Sequence, residues 1–197
     1  MPQYLILCVI AFISVFDMIT SMPSSGGGVY EPLTIVSREE WDAKPPTEIT
    51  KLQTPVPNVV IHHSYIPRAC FSRDNCCTAM RSMQHMHQDV NGWADIGYNF
   101  AVGSDGLVYE GRGWNHLGAH SKGFNSQSIG ICLIGDWTSE LPPEVQMQAA
   151  KDLISEGLRL GWISPKYSLV GHRQVRDTEC PGDALYERIS EWKHFND

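Results

Sequence analysis

Two stretches of the chain carry side chains that could bind a metal ion. The first, "VVIHHSY", contains His62 and His63, and the second, "LVGHRQVRDTECPG", contains His172 and Cys180. A catalytic zinc ion takes three protein ligands, commonly His, Cys or carboxylate side chains, and keeps a fourth position for water. Successive side chains of a strand point to opposite faces, so only one of the adjacent histidines can reach a given metal. One histidine of this pair, together with His172 and Cys180, would supply the three ligands.

The spacing alone leaves other interpretations open, because structural zinc sites usually place Cys or His pairs at short intervals. Each histidine is also consistent with an ordinary hydrogen-bonded polar group on a strand, and Cys180 with half of a disulfide or an inert thiol. His116 and His120, in "GWNHLGAH", have the i, i+4 spacing of a helical metal pair, but the glycines around them favour a loop. We expect His120 to line a cleft.

The number of cysteines implies that at least one thiol has no partner within the chain if the protein is secreted. The chain has six cysteines, one of them in the apolar run at its N-terminus, and the remaining five are an odd number. Cys70 and Cys76 flank a polar loop in "ACFSRDNCC" and could form a short disulfide, for which Cys77 is a competing partner of Cys70. Cys132 lies in the apolar run "SIGICLIG" and is interpreted as a buried small hydrophobic residue.

The composition predicts one globular domain. The 197 residues are 42% hydrophobic and 19% charged, which supplies a sizeable core but too little length for two ordinary domains. The formal net charge is −7, and the sequence has no run of lysine and arginine that could serve as a basic nucleic-acid-binding surface. We therefore expect no nucleic-acid partner.

The N-terminus is typical of a signal peptide. Its apolar run, Tyr4–Phe16, is shorter than the roughly 20 residues of a membrane-spanning helix, and small and polar residues follow it. We predict a signal peptide over residues 1–22, a flexible leader over 23–32 and the folded domain over 33–197. The run is not preceded by Lys or Arg, and a signal anchor or a buried helix is the alternative. The prediction implies a secreted, extracellular protein with no membrane span in its mature form.

Strand and helix patterns alternate along the chain, which indicates an α/β fold. "VVIHHSY" and "YSLVGH" are predicted strands, and the near-continuous apolar run "SIGICLIGDW" predicts a central strand covered on both faces. "YNFAVGSDGLVYEG" predicts a β-hairpin in which Gly106 supplies a positive φ. We expect a single α/β domain with a central mixed, mainly β, sheet flanked by about three helices.

Three segments have the composition of helices. The first runs from Thr78 to Val90, and the third opens with an Asp cap after Gly182 and continues along "DALYERISEWKHF". The second follows the two prolines of "LPPEVQ" and is predicted to last about four turns. The apolar side of this second helix is expected to consist of Val145, Ala149, Leu153 and Leu160.

Four blocks of the sequence together resemble one protein family. They are "VVIHHSY", "GWADIGYNFAVGSDGLVYEGRGWN", "GAHSKGFNSQSIGICLIGDW" and "LVGHRQVRDTECPGDALY", in this order over about residues 33–195. They resemble the animal peptidoglycan recognition proteins, which are similar to phage N-acetylmuramoyl-L-alanine amidases, and in particular the short, secreted insect-type members with amidase activity. The resemblance implies the zinc amidase fold of that family.

The resemblance implies a zinc ion, Zn²⁺, held by His62, His172 and Cys180. Family members that only bind peptidoglycan typically have serine at the position of Cys180, so this cysteine favours an enzyme over a receptor. The resemblance also implies the family's short disulfide, which would join Cys70 to Cys76 and leave the next cysteine as an extra thiol.

Tyr98 and Thr178 are the catalytic side chains that the resemblance implies. Zinc would polarise the scissile carbonyl and lower the pKa of its bound water to about 7. Tyr98 matches a tyrosine whose phenol hydrogen-bonds this water or the developing oxyanion. Thr178 matches a lysine or threonine near the metal, and since a hydroxyl is not a strong base, we expect it to orient groups or to hydrogen-bond in the transition state.

Arg176 is the expected contact for the peptide stem of the substrate. It lies between His172 and Cys180 in the sequence, where a guanidinium could bind a stem carboxylate, and the resemblance links arginine here with diaminopimelate rather than lysine stems. The side chain of His63 is expected to point to the opposite face of its strand and to pack or hydrogen-bond there. The other candidate substrate-binding residues are His63, Trp114, Asn115, His116 and His120.

The expected function is zinc-dependent hydrolysis of the amide bond between N-acetylmuramic acid and L-alanine in bacterial peptidoglycan. In innate immunity this reaction would degrade or detoxify the polymer. The alternative is a non-catalytic receptor that binds peptidoglycan and signals to immune partners, and an unrelated secreted α/β domain is a third interpretation. The expected partner is a peptidoglycan fragment, and we expect a monomer.

Overall fold

The computed structural model describes residues 33–196 of the chain. The predicted signal peptide, residues 1–22, and leader, residues 23–32, lie outside the described residues. No helix among the described residues is long and apolar enough to cross a membrane. The strands are β1 (Ile35–Val36), β2 (Val56–His63), β3 (Phe100–Val102), β4 (Val108–Glu110), β5 (Ser128–Leu133) and β6 (Ile163–Gly171). The helices are α1 (Arg73–His85), α2 (Glu144–Arg159), α3 (His172–Val175) and α4 (Asp183–Ser190).

The six strands form one mixed sheet in the order β1-β4-β3-β5-β2-β6. β3 and β4 pair antiparallel as the predicted hairpin, with Gly106 at a φ of 81° in the turn between them. All other neighbouring strands of this sheet are parallel. β5 is paired on both sides and buried along its whole length, which confirms the prediction of a central strand.

The two faces of the sheet pack against different helices. Ile61 and Leu153 belong to the core between the sheet and α2, whereas Cys132 and Met80 belong to the core between the sheet and α1. Because side chains alternate along a strand, His62 points to the face opposite that of Ile61. His62 therefore lies on the α1 face, where its register partner on β5 is Cys132.

α2 has the predicted length, but the prediction of its buried side is wrong in part. Ala149 and Leu153 are buried as expected, whereas Val145 is 51% exposed and Leu160 is 46% exposed. Val145, in the first turn, lies against the hairpin turn at Gly106, and Leu160 follows the last residue of the helix. The buried residues of α2 are Gln146, Met147, Ala149, Ala150, Leu153, Ile154 and Gly157.

α1 begins earlier than the sequence pattern predicts. The Ser72 hydroxyl accepts a hydrogen bond from the backbone N–H of Asn75 at 3.4 Å and caps the helix, which therefore starts at Arg73 and not at Thr78. This cap lies within the predicted polar loop between Cys70 and Cys76. The first turn of α1 is thus part of the segment that the cysteine pattern had suggested was a loop.

Cys70 and Cys76 form a disulfide. The competing pairing of Cys70 with Cys77 is not present, and the disulfide joins the segment before α1 to its first turn. Cys77 and Cys132 are buried free thiols, which confirms the interpretation of Cys132 as a small core residue.

The C-terminal helix, α4, begins at Asp183, but the residue that caps it is Gly182. Gly182 has a φ of 91°, and a Cβ atom there would lie 2.4 Å from the carbonyl of Trp137, so a larger residue would be strained. Asp183 occupies the first turn, where a carboxylate interacts favourably with the helix dipole. α4 ends at Ser190, so Trp192 and Phe195 of the predicted helix lie outside it.

After α1 the chain passes through Met86–Val90, a single wider helical turn that contains His87. The Nδ1 atom of His87 accepts a hydrogen bond from the backbone N–H of Gly97 at 3.0 Å, and its ring stacks on Trp93 with centroids 4.7 Å apart. Burial, followed by the charge of Arg112, lowers the pKa of His87 to about 4. A neutral imidazole therefore fastens this turn to the segment that leads into β3.

We predict that His87→Gln reduces the loss of stability at acidic pH. The unfolded chain protonates His87 near pH 6.5, the folded protein only near pH 4, so the unfolded state binds more protons between these values. The contribution of His87 to the free energy of unfolding is complete above pH 6.5. It falls by up to about 1.4 kcal/mol per pH unit as the pH is lowered toward 4. Urea unfolding of both proteins with chelator at about pH 7.5 and pH 5 measures the difference. Equal pH slopes would contradict the prediction.

Candidate metal centre

The topology brings His62, His172 and Cys180 together. β2 ends at His63 and its parallel neighbour β6 ends at Gly171, so both carboxyl ends lie at the same edge of the sheet. His62 is near the end of β2, and His172 is the first residue of α3, directly after β6. Cys180 lies in the loop between α3 and α4, and one ligand atom from each of the three residues lies within 4.8 Å of the others.

The atoms of these three side chains that could bind a metal lie close together. The Nδ1 atom of His62 lies 3.8 Å from the sulfur of Cys180, and the rings of His62 and His172 have centroids 4.3 Å apart. The Nε2 atom of His172 is buried and has no hydrogen-bond partner among the described residues. A metal ion would supply the missing partner, and two imidazoles with one thiolate form an open three-ligand set of the kind that zinc takes.

Burial keeps all three groups uncharged without metal. It lowers the pKa of His62 well below its ordinary value, and the neighbouring His120 and His172 act in the same direction. Burial and then the charge of Arg176 lower the pKa of His172 to about 4. Burial raises the pKa of the Cys180 thiol to about 12. The imidazoles are therefore ready to bind a metal, whereas the thiol has to lose its proton first.

The loop around Cys180 holds its sulfur against the end of β2. The backbone N–H of His63 donates to this sulfur at 3.4 Å. The hydroxyl oxygen of Thr178 accepts a hydrogen bond from the backbone N–H of Cys180 at 3.2 Å, which fixes the loop locally. Thr178 therefore lies beside the metal centre, and the hydrogen of its hydroxyl is still available as a donor.

Tyr98 lies over the same cluster. Its ring centroid is 5.3 Å from that of His62. Burial, followed by the nearby thiols of Cys132 and Cys180, raises the pKa of Tyr98 well above its ordinary value. The phenol therefore keeps its proton and is a hydrogen-bond donor next to the three candidate ligands.

A comparison with protein families matches residues 52–183 to the family described as N-acetylmuramoyl-L-alanine amidase. The chain belongs to this amidase family. Among its relatives, peptidoglycan-recognition protein LB of Drosophila melanogaster is 52% identical over 161 residues, which are 82% of this chain and 69% of that protein. N-acetylmuramoyl-L-alanine amidase of Homo sapiens is 46% identical over 80% of this chain, but this chain spans only 28% of the human protein.

Solved structures of this amidase family have the same fold. Drosophila PGRP-LB, as a Tyr-to-Phe mutant in complex with tracheal cytotoxin, matches with a TM-score of 0.82 at 51% identity, over 83% of this chain and 96% of that chain. PGRP-LE in complex with tracheal cytotoxin, described as monomeric diaminopimelic acid-type peptidoglycan, matches with a TM-score of 0.81 at 42% identity, over 82% of this chain and 95% of that chain. These matches confirm the predicted fold.

In this amidase-family chain, Arg176 is exposed at the edge of the metal centre. Its charge contributes to the lowered pKa of His172, so the two side chains are close. Among the described residues, no acidic side chain forms an ion pair with Arg176. A cation with no protein partner beside the ligand cluster is available to an anionic group of a ligand.

The structure places Trp114, Asn115 and His116 away from the three ligands, which corrects their assignment to the cleft. The ring of Trp114 packs against Phe100, with centroids 4.4 Å apart, in the core between the sheet and α2. His116 lines a separate cavity of about 200 Å³ together with Arg38. Asn115 is exposed, and its carbonyl accepts a hydrogen bond from Leu52 at 2.8 Å. The loop therefore lies on the α2 side of the sheet at Trp114 and reaches the α1 face only at His120.

His63 and His120 lie close to the cluster in different ways. The Nδ1 atom of His63 accepts a hydrogen bond from the backbone N–H of Trp137 at 3.2 Å, so its side chain hydrogen-bonds to the loop after β5. His120 is 8% exposed, and its Nδ1 atom lies 3.0 Å from the Nε2 atom of His62. His120 thus contacts a candidate ligand directly.

Trp93 is an exposed aromatic residue near the site that the sequence analysis did not predict. Trp93 is 39% exposed and stacks on His87, and the ring of His87 in turn lies 5.7 Å from that of Tyr98. These rings form a continuous wall from the surface to the ligand cluster. Trp93 belongs to the same block "GWADIGYNF" as Tyr98, so a search around Tyr98 could have found it.

We predict that binding of a divalent metal at pH 7.5 releases about one proton. The pKa of Cys180 is about 12 and that of His172 about 4 in the metal-free protein, so only the thiol has a proton to lose at this pH. The apparent affinity should therefore rise about tenfold per pH unit near neutrality. Metal titration in weakly buffered solution with a pH indicator measures the release. Cys180→Ser should abolish it, and release of no proton from the unsubstituted protein would contradict the prediction.

Proposed function

We propose that this protein is a zinc-dependent N-acetylmuramoyl-L-alanine amidase that cleaves the bond between N-acetylmuramic acid and L-alanine in bacterial peptidoglycan. The observation that carries the proposal is the presence of Cys180 within reach of His62 and His172, in a chain of the amidase family. The buried Nε2 atom of His172, which has no partner among the described residues, supports a metal at the same place.

The donor set favours zinc over other metals. Two imidazoles and one thiolate are softer ligands than those magnesium or calcium select, and three protein ligands leave one position open for a reactant. When bound, Zn²⁺ supplies a Lewis acid that polarises an amide carbonyl and lowers the pKa of the attacking water to about 7. His62, His172 and Cys180 would hold the ion.

Two further side chains act on the scissile amide in this proposal. Tyr98, whose raised pKa keeps its phenol protonated, donates a hydrogen bond to the carbonyl oxygen as negative charge develops there. Thr178 holds the backbone of Cys180 and directs its own hydroxyl hydrogen toward the reacting groups. Neither side chain is a strong base, so both act by orientation and by hydrogen bonding.

We predict that Cys180→Ser abolishes zinc binding and amidase activity, whereas Cys77→Ser leaves both unchanged. Cys77 is a buried free thiol at the start of α1, outside the ligand cluster, and is a matched control for loss of a thiol. Zinc content after exchange into metal-free buffer and release of stem peptides from purified peptidoglycan measure the two effects. A wild-type protein that binds peptidoglycan but releases no peptide would replace the proposal by the receptor alternative.

We further propose that the substrate carries a diaminopimelate stem. Arg176 is exposed beside the metal centre and has no acidic partner among the described residues, so it is free to bind the extra carboxylate that distinguishes diaminopimelate from lysine. The solved relatives in complex with tracheal cytotoxin, in one case described as diaminopimelic acid-type peptidoglycan, support this choice.

We predict that Arg176→Gln lowers kcat/KM for diaminopimelate-type muropeptides by about tenfold or more, because a hydrogen bond to a charged group contributes about 1.5 kcal/mol or more. Lysine-type muropeptides should change by less than about threefold. Arg188→Gln, which removes an arginine of α4 that pairs with Glu191, is the matched control and should affect neither substrate. Equal losses on both substrates would remove this role from Arg176.

We propose that the protein acts outside the cell, where bacterial peptidoglycan is encountered. The disulfide between Cys70 and Cys76 supports this location, because such bonds persist in oxidising compartments. The predicted signal peptide over residues 1–22 is consistent with it. Degradation of peptidoglycan there would lower the amount of an immune elicitor.

A further inference from the structure

The imidazole of His120 lies in a slot that two glycines create. A Cβ atom on Gly130 would lie 2.4 Å from this ring, and one on Gly118 would lie 2.6 Å from it. The side-chain oxygen of Asn125 accepts hydrogen bonds from the backbone N–H groups of His120 at 3.0 Å and Ser121 at 2.7 Å. Both the position of the ring and the direction of its nitrogens are therefore set by the surrounding chain.

The hydrogen bonds of the Ser128 hydroxyl determine which nitrogen of His120 carries a hydrogen. The hydroxyl donates its single hydrogen to the carbonyl of Phe124 at 2.7 Å. Its oxygen lies 3.4 Å from the Nε2 atom of His120 and, with its hydrogen already used, can only accept there. The Nε2 atom of His120 therefore carries the hydrogen.

The same reasoning extends to His62. His120 is 8% exposed and has no acidic partner among the described residues, so burial disfavours an imidazolium and leaves its Nδ1 atom as an acceptor. The contact of 3.0 Å between this atom and the Nε2 atom of His62 then requires that His62 donates from Nε2. In a neutral ring the hydrogen on Nε2 leaves the lone pair on Nδ1, the atom that faces Cys180 at 3.8 Å.

We propose that His120, held by Ser128, is a positioning residue that keeps His62 in the Nε2–H tautomer and so presents the Nδ1 lone pair to the metal. Metal-binding histidines generally donate their other ring N–H to an acceptor, and loss of that acceptor typically costs about 10- to 100-fold in metal affinity. The acceptor here is a second neutral histidine, whose own tautomer is set by a serine. The inference rests on the proposed zinc site.

The test uses His120→Leu and His120→Gln in the full chain. Leucine fills similar space but has no acceptor, whereas the amide oxygen of glutamine can accept from His62 and its amide nitrogen can donate to Ser128. We expect a zinc dissociation constant about 10- to 100-fold higher for His120→Leu and within about threefold of the wild type for His120→Gln. Competition with a chromophoric chelator measures these constants. The control is His85→Leu, which removes an exposed histidine that hydrogen-bonds Asp89, and it should bind zinc as the wild type does.

A second measurement reports the tautomer without metal. Ring ¹⁵N–¹H correlation spectra of the chelator-treated protein should show the hydrogen of His62 on Nε2 in the wild type and in His120→Gln, and a mixed or Nδ1–H population in His120→Leu. Assignment of the His62 signals comes from their loss in His62→Gln. A wild-type protein with the hydrogen on Nδ1 of His62 would overturn the inference even if no variant folds.

The outcomes separate this inference from the proposed function. Wild-type zinc affinity in His120→Leu, with an unchanged tautomer of His62, overturns the positioning role but leaves the amidase proposal standing. A wild-type protein that binds no zinc overturns the proposed function, and the spectra of the metal-free protein then still decide whether His120 sets the tautomer of His62.

Discussion

The metal centre depends on the parallel pairing of β2 with β6. In this register Ile61 lies opposite Gly171, so the residues that follow them, His62 and His172, emerge side by side at the carboxyl edge of the sheet. After β6, α3 and the following loop place Cys180 at the end of β2. There the backbone N–H of His63 donates a hydrogen bond to the sulfur of Cys180. A slip of one residue would place His62 on the opposite face, among the side chains that pack against α2.

Burial sets the chemical state of the centre. It disfavours every charged form, so His62 and His172 are neutral and Cys180 is a thiol before metal arrives. The cost of removing the thiol proton is offset by the bond that the thiolate forms with the ion. In the proposed reaction, the same low polarity would strengthen the hydrogen bond from Tyr98 to a developing oxyanion. In the proposed amidase, the surroundings of His62, His172 and Cys180 would therefore favour both metal binding and stabilisation of the transition state.

The structure brings together the three residues that were predicted as ligands, but it differs from the prediction in the residues around them. His62, His172 and Cys180 were identified because their residue types are characteristic of zinc ligands and because the family resemblance assigned them. Trp114 was expected in the cleft because an aromatic face suits contacts with sugars and peptide backbone, yet it packs in the core on the α2 side. Trp93, which was not predicted, is exposed near the site. A loop can cross the edge of a sheet within a few residues, and no local pattern records the face on which each side chain ends.

By itself, the sequence determined the strands other than β1, including the hairpin, as well as the residue types that can bind zinc and the family to which the chain belongs. These follow from short-range periodicity and from motifs that are read within a few residues. The disulfide between Cys70 and Cys76 confirms the pairing that the resemblance implied. Only the tertiary structure decided that Val145 is exposed, that Trp114 packs on the α2 side of the sheet, and that His120 contacts His62. Such contacts join residues far apart in the chain, and their geometry depends on the register and packing of several elements at once.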